Sequence, residues 1–313
     1  MNKKILVTGA TGTVGSFLIE RLTALGARMQ VLARSRQQAE NFAARHIDAF
    51  IGDFAHKPTL VPALAGVEKL FLLSAANPRQ VEWQGNMIEA ARRAGVRHIV
   101  KLSASRASPD LRLPIKRWHY ETEQQLKNSG VPYTFLRPNC FMQNSLHWAR
   151  TIREKGLFYL PVGDARVSQV DARDIAAVAA AVLTGSGHQD QTYEITGSEA
   201  ITFEEVAEQF STALGKKVGY ARTSSAESRR HMLEYGMEEW LAAAVTQTYR
   251  FMSEGGAQHV TNIVSQLTGN EPITFAQFAR DYAEHFLKGG QTLKPVDNRQ
   301  PAQVLDGLIR HPP

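Results

Sequence analysis

The stretch Lys4-Ile5-Leu6-Val7-Thr8-Gly9-Ala10-Thr11-Gly12-Thr13-Val14-Gly15 decides how the rest of the chain is read. Ile5-Leu6-Val7 is an unbroken apolar run, the pattern of a short strand buried on both faces of a parallel sheet. Gly9, Gly12 and Gly15 follow at intervals of three. Thr13 to Leu25 then places Val14, Phe17, Leu18, Leu22 and Leu25 on one side of a helix. Strand, glycine turn and helix in this order is the context that a dinucleotide-binding turn requires. Gly9 lets the chain turn sharply after the strand, Gly12 lets a pyrophosphate approach the backbone, and Gly15 lets the helix lie close to the strand. The free N–H groups and the positive dipole end of the helix then face the phosphates. A glycine triplet alone is equally an ordinary strand-to-helix loop; the flanking strand and helix favour the phosphate site.

The next strand, Met29 to Ala33, ends in Arg34-Ser35-Arg36. NAD-preferring proteins place Asp or Glu about 20 residues beyond the glycines, where it holds the ribose 2′-hydroxyl. Arg34 stands there instead, with no acid beside it. A carboxylate repels a 2′-phosphate, whereas a guanidinium binds it through two parallel N–H bonds. Arg34, with the Ser35 hydroxyl beside it, therefore points to NADP(H).

Outward from this start, apolar runs alternate with helical patterns. Strands are expected at Ala49 to Ile51, Lys69 to Leu73, Val96 to Leu102 and Tyr133 to Leu136. Helices are expected at Gln37 to Arg45, Pro58 to Leu64, Pro78 to Ala94 and Trp118 to Ser129, the last ended by Gly130 in the left-handed manner. This rhythm indicates an α/β fold, a Rossmann-type doubly wound parallel sheet, whose ligands sit at the carboxyl ends of strands. That rule gathers Ser74, Ser103 and Pro138-Asn139 toward one crevice. Asp53, before Phe54 at another strand end, has two readings: an acceptor for an adenine amino group, or an Asx-turn.

Beyond residue 140 the alternation weakens. A helix is expected at Asn144 to Lys155, a strand at Val167 to Val170, and a buried alanine-rich helix at Asp171 to Leu183. A strand at Gln191 to Ile195, a capping-box helix from Thr202 to Leu214, an extended piece at Lys217 to Tyr220, two helices within Glu227 to Phe251 and one at Thr274 to Leu287 follow. The expected organisation is a nucleotide-binding domain over 1–196, with 141–168 lent to a smaller C-terminal substrate lobe. That lobe continues over 197–288, and a mobile tail covers 289–313.

Composition excludes several classes. The 313 residues are 43% hydrophobic and 21% charged, which is globular. No apolar run approaches the roughly 20 residues of a membrane helix. The basic start Met1-Asn2-Lys3-Lys4 superficially resembles a secretion signal, but glycines interrupt the apolar segment at once and the strand is needed in the fold. Cys140 is the only cysteine, so no disulfide can form within the chain and a reducing cytoplasm is the expected setting. The net charge of +6 includes no long basic block and is what a protein holding a polyanionic cofactor can carry, so nucleic acid is not an expected partner. His46, His56, His98, His147 and His188 are scattered without ligand spacing, so no metal site is expected. No Gly-x-Ser-x-Gly elbow is present. Phe141, Trp148, Phe158 and Tyr159 read either as a wall over a flat ligand or as core. Cys140 reads as a small buried thiol rather than a nucleophile.

Taken together, Thr8 to Gly15, Gly52-Asp53-Phe54, His119 to Gly130, Pro132 to Pro138, Val170 to Ala176 and Tyr193 to Gly197 resemble the NmrA-like branch of the atypical short-chain dehydrogenase/reductases. The Gly-x-x-Gly-x-x-Gly spacing is the form of that superfamily. The resemblance covers about residues 3 to 287 and lies nearest the NADPH-dependent quinone reductases and triphenylmethane reductases. It implies NADP(H) held by Gly9, Thr11, Gly12, Thr13, Val14, Gly15, Arg34, Ser35, Asp53, Phe54, Ser74, Ser103, Pro138 and Asn139. The implied reaction is direct hydride transfer to a flat, electron-poor acceptor, a quinone before others. One departure is informative. The wider superfamily supports a proton-passing tyrosine with a lysine four residues on, but here Tyr120 is followed by Gln124. The remaining catalytic candidates are His119, near the catalytic lysine of isoflavone-reductase-like members, and Tyr120. His119 is either a donor to the acceptor oxygen or a packed histidine. The same branch contains a redox-sensing regulator, so a non-enzymatic NADP(H) sensor acting through a protein partner is the alternative.

Overall fold

The computed structural model describes residues 4–288, so the expected tail at 289–313 lies outside the described residues. Nine strands occur among them: β1 (Ile5–Val7), β2 (Met29–Ala33), β3 (Asp48–Ile51), β4 (Lys69–Leu72), β5 (His98–Leu102), β6 (Tyr133–Pro138), β7 (Leu157–Leu160), β8 (Gln191–Ile195) and β9 (Gly219–Arg222). The helices are α1 (Thr13–Ala24), α2 (Arg36–Ala43), α3 (Gln80–Arg93), α4 (Pro114–Asn128), α5 (Ala149–Lys155), α6 (Ala172–Thr184), α7 (Phe203–Leu214), α8 (Ser225–Glu234), α9 (Glu239–Ser253), α10 (Ile263–Thr268), α11 (Phe275–Asp281) and α12 (Ala283–Lys288).

Seven strands form one parallel sheet in the order β3-β2-β1-β4-β5-β6-β8. The chain leaves β1 toward β2 and β3 and returns on the far side to β4, so the order reverses between β1 and β4. A ligand is expected at the carboxyl ends beside that reversal. Thr8 fixes this point. Its buried hydroxyl shares its one proton between the Phe71 and Leu73 carbonyls and accepts from the Leu73 N–H, each at 2.9 Å, which holds the end of β1 to the end of β4.

The chain divides into two compact units. The first comprises the described chain through Pro138, then Ala172–Ile195 and Ile263–Asn270. On one face of its sheet Leu6, Leu72, Ile99 and Phe135 pack with Met87, Ile88 and Ala91 of α3 and Leu126 of α4. Each such side chain contributes roughly 2 kcal/mol when withdrawn fully from water. Helix α6, apolar nearly all round, is buried as its composition predicts and packs against α1 and α10. Buried Lys69 ends α6 by donating to the Val182 and Gly185 carbonyls at 3.1 and 2.9 Å. A cation at a helix C-terminus is favourable on dipole grounds as well.

The second unit, Asn139–Asp171, Thr196–Asn262 and the described chain from Glu271, has its own aromatic core. Phe158, Phe203, Phe210, Phe275, Phe278 and Phe286 are buried there. The predicted capping box of Thr202 and Glu205 opens α7.

Several expectations shift. Pro58 to Leu64 is two 3-10 turns, Lys57–Leu60 and Pro62–Leu64, because Pro62 has no N–H to continue a helix. Helix α3 starts at Gln80 rather than Pro78, after Asn77 Oδ1 accepts from the Arg79 N–H. Helix α4 begins four residues early, with Pro114 in its first turn. Val167 to Val170 forms only isolated bridges, to Ile201 and Phe141. The strand β7 and helix α10 were not expected. Residues 157–160 read as an aromatic patch rather than a strand because the short run has no alternation long enough to reveal its partner, β9.

Candidate functional site

The glycine turn has the expected form. Gly9 adopts φ +63°, the left-handed region that favours glycine, and a Cβ there would meet Leu73 Cγ at 2.7 Å. A Cβ on Gly15 would lie 2.0 Å from the Gly9 carbonyl oxygen. The third glycine thus lets α1 press on the turn itself. Gly12 is different: its Cβ would have one neighbour, Gly9 oxygen at 3.3 Å, so its outer side is open. Gly12 caps α1 without a side-chain hydrogen bond, and the first turn carries no acid. The N–H groups of Thr13, Val14 and Gly15 precede the first N–H that the helix itself satisfies, Ser16 to the Gly12 carbonyl. An open backbone surface with free donors and no competing carboxylate fits a pyrophosphate.

Arg34 is exposed at the end of β2. Ser35 caps α2 by accepting from the Gln38 N–H at 3.3 Å, which leaves its own proton available to donate. No acid stands in the first turn of α2 either, so this corner fits a further phosphate. Asp53 makes the Asx-turn: its Oδ1 accepts from the Ala55 N–H at 2.8 Å, while the carboxylate stays largely exposed. The Phe54 ring lies in the core, and its carbonyl accepts from Asn86 Nδ2 at 2.9 Å. Phe54 therefore offers a ligand no exposed ring.

At the end of β4, Ser74 Oγ accepts from Gln84 Nε2 at 2.8 Å. Gln84 and Gln80, one turn apart on α3, are buried, and Gln84 Oε1 and Gln80 Nε2 have no protein partner. Buried amides in this state call for water or ligand. Sequence reading passed over both glutamines, because a polar residue on a helix ordinarily faces solvent.

The most concentrated chemistry lies between β5 and α4. Lys101 is 0% exposed. Its Nζ lies 3.0 Å from His119 Nδ1 and donates to the Leu102 carbonyl at 3.2 Å. Burial, outweighing the attraction of Glu123, pushes the Lys101 ammonium down to about 7, and Arg137 adds to the fall. Burial first, then the positive charges of Lys101, Lys116 and Arg137, hold His119 well below the ordinary histidine value, so the ring is neutral. Two residues along β5, Ser103 Oγ donates to Glu123 Oε1 at 2.5 Å. Arg137 closes on the fully buried Glu123 through Nε at 2.9 Å and Nη2 at 2.5 Å, and reaches Glu194 at 3.3 Å. Glu194 in turn accepts from the Arg106 N–H. His119 and Glu123 are one helical turn apart, and Lys101 and Ser103 share a strand face, so both pairs meet side by side. Lys116 Nζ donates to the Ser105 carbonyl. Lys101, Glu123 and Arg137 were not among the sequence candidates, since no spacing links positions drawn from β5, α4 and β6. An intact Lys inside an apolar strand, His-Ile-Val-Lys-Leu, was the available signal.

Other expected residues fall elsewhere. Tyr120 is half-buried on α4. Pro138 ends β6 opposite Ile195. Asn139 belongs to the second unit, where its amide donates to Ser168 Oγ and the Ala257 carbonyl, both at 2.8 Å. In the same unit Trp148 stacks on buried Phe158 with centroids 4.4 Å apart, so these two are core packing rather than an open wall. Cys140 packs partly buried against that core. Among the described residues no helix is long and apolar enough to cross a membrane, and no group of three or more His, Cys, Asp and Glu is placed to hold a metal ion.

Comparison with known proteins bears on this geometry. The NmrA-like family matches residues 1–278. A NAD(P)H azoreductase of Xenophilus azovorans is 40% identical over 90% of this chain and 99% of its own. Quinone oxidoreductase 2 of Escherichia coli (strain K12) is 33% identical over 87% of this chain and 96% of its own. The crystal structure of that E. coli NADPH-dependent quinone oxidoreductase complexed with NADPH superposes with a TM-score of 0.82 at 31% identity, covering 88% and 99% of the two chains. Triphenylmethane reductase of Citrobacter sp., complexed with NADP(H), gives 0.80 at 29% identity, covering 90% and 99%. An NmrA structure matches at 0.76 but only 18% identity, which is a likeness of fold.

Proposed function

The chain belongs to the NmrA-like family and is an NADP(H)-using reductase, and we propose that it reduces a flat, electron-poor conjugated acceptor, a quinone in the first instance. The observation that carries this reading is the hydrogen-bonding outfit of α4. Tyr120 has Gln124, not lysine, one turn on, while a neutral His119 on the same helix lies against Lys101 of β5 at 3.0 Å. Such a site has no tyrosinate relay with which to drive reduction of an unactivated ketone. It suits an acceptor that is electrophilic already and needs positioning and one donor. The relatives, a quinone oxidoreductase, an azoreductase and a triphenylmethane reductase, act on acceptors with this property in common.

In this reading the hydride is supplied by the reduced nicotinamide of bound NADPH. Thr11, Thr13, Val14 and Gly15 hold the pyrophosphate through backbone N–H groups, while Gly9 and Gly12 shape the turn, the Gly12 N–H closing on the Gly9 carbonyl at 2.9 Å. Arg34 grips the 2′-phosphate, with the Ser35 hydroxyl as a second donor, and Asp53 lies on the adenine side. Ser74, Ser103 and Pro138, beyond or at the carboxyl ends of β4, β5 and β6, serve the ribose and nicotinamide end. Ser103 already gives its proton to Glu123, so toward a ligand its oxygen acts as an acceptor. His119 donates to the acceptor oxygen on which negative charge develops.

The test is NADPH oxidation at saturating cofactor against a panel of benzoquinones, naphthoquinones, azo dyes and triphenylmethane dyes. Quinones are expected to give the highest kcat/KM. Turnover confined to azo or triphenylmethane dyes would move the acceptor class. No turnover with any acceptor, despite NADPH binding, would return the sensor alternative.

A further inference from the structure

We propose that Lys101 is the positioning residue behind His119, holding the imidazole with its proton on Nε2 and refilling that proton after it passes to the reduced acceptor. This rests on the reading of His119 as the donor. The geometry is specific. Lys101 Nζ is 3.0 Å from Nδ1, and its other identified bond, to the Leu102 carbonyl, needs a second proton on the same nitrogen. An ammonium has protons for both and no acceptor orbital. Nδ1 is therefore the accepting nitrogen, and in a neutral ring the proton resides on Nε2. A buried lysine is otherwise a liability, since the strand position takes any apolar side chain at lower desolvation cost.

Hydride from NADPH brings two electrons to the quinone and leaves an anionic oxygen. The Nε2–H bond breaks as an O–H bond forms on that oxygen. An Nζ–H bond breaks as an Nδ1–H bond forms, so the imidazole stays neutral and changes tautomer, while Lys101 becomes an amine. A solvent proton entering by the same ring restores the ammonium. The direction is downhill, because a phenolate-like product oxygen is a base of pKa about 10, whereas the Lys101 site holds its proton only to about 7. The charged groups facing this pair are Lys116 and Glu123 on α4 and Arg137 on β6, with Glu194 on β8 paired to Arg137. Arg137 and Lys116 repel the added charge and Glu123 attracts it, which keeps the lysine poised.

The experiment has one readout without cofactor and one with it. Long-range proton–nitrogen NMR of histidine-labelled protein, with His119 assigned by its loss in His119→Gln, is expected to show the Nε2–H tautomer; the Nδ1–H tautomer would overturn the proposal. In Lys101→Met the lock is expected to relax to a tautomer mixture. With a quinone, Lys101→Met is expected to lower kcat by about tenfold to a hundredfold with the KM for NADPH unchanged. Wild-type kcat is expected to decline as pH rises through about 7, and this limb is expected to vanish in the variant. An unaltered kcat and pH profile in a folded Lys101→Met would overturn the relay. If the variant does not fold, the tautomer and the pH limb of the unmodified protein decide alone. Absence of turnover with every acceptor would count against the proposed function, and the NMR would still decide the pair.

Discussion

The glycine turn after β1 and the charged cluster between β5 and α4 lie in one unit and follow opposite logics. The turn works through absent atoms: a Cβ on Gly15 would lie 2.0 Å from a carbonyl oxygen, and no side chain caps α1. The cluster works through present ones: Lys101, His119, Glu123 and Arg137 are held by matched donors and acceptors. Shape decides the first region and charge balance the second. A substitution that respects one rule and violates the other should therefore have its effect in one region only.

The largest effect is expected at Gly15→Val, which drives a side chain into backbone and should cost about 4 kcal/mol of stability, read by denaturant unfolding. Gly12→Ala is the counter-case: its added carbon meets a single atom at 3.3 Å. It should leave the unfolding midpoint nearly unchanged yet weaken NADPH binding about tenfold by standing where the phosphate approaches. Equal destabilisation by the two would break the distinction drawn between packing glycine and ligand-facing glycine.

Next in size is a pH effect from the other face of β5. His98 is buried, bonds Thr134 Oγ1 at 2.8 Å, and is pushed down to about 4, mainly by burial and also by Lys69. Between pH 6.5 and about 4 the unfolded chain takes up a proton that the folded one refuses. Stability contributed by this group is therefore complete above the unfolded value and falls as pH drops through that window, by up to about 3 kcal/mol. Denaturant unfolding across pH 7 to 4 should show the slope, and His98→Gln should flatten it. A slope unchanged in the variant would place the titration elsewhere.

Glu123→Gln keeps the shape of the cluster and removes its central negative charge. Arg137 retains Glu194 but loses its closest carboxylate, so a loss of about 2 kcal/mol is expected, smaller than for a lone buried pair. No loss would mean that shape rules this region too.

The same contrast explains what the sequence disclosed. Backbone sites are contiguous, so the glycine turn and the sheet class are legible from spacing alone. Helix α6 announces its burial through composition. Side-chain sites assembled from distant strands leave no such trace: Lys101 and Arg137 sit in apolar runs that simply read as strands. His119 was visible only by resemblance, and its lysine partner only in three dimensions. The aromatic residues left two readings open, wall or core, and the packing of Trp148 on Phe158 selects the core. Local patterns also missed β7, whose reason for being a strand is its distant partner β9.

In the proposed function the turn and its Arg34 corner grip a 2′-phosphorylated nicotinamide nucleotide. Calorimetric titration of NADPH and NADH into the wild type and Arg34→Asp tests it most directly. Micromolar NADPH binding, weaker NADH binding, and an Arg34→Asp loss of about a hundredfold for NADPH against little for NADH are expected. Heat from neither nucleotide, or an equal loss for both in the variant, would contradict it.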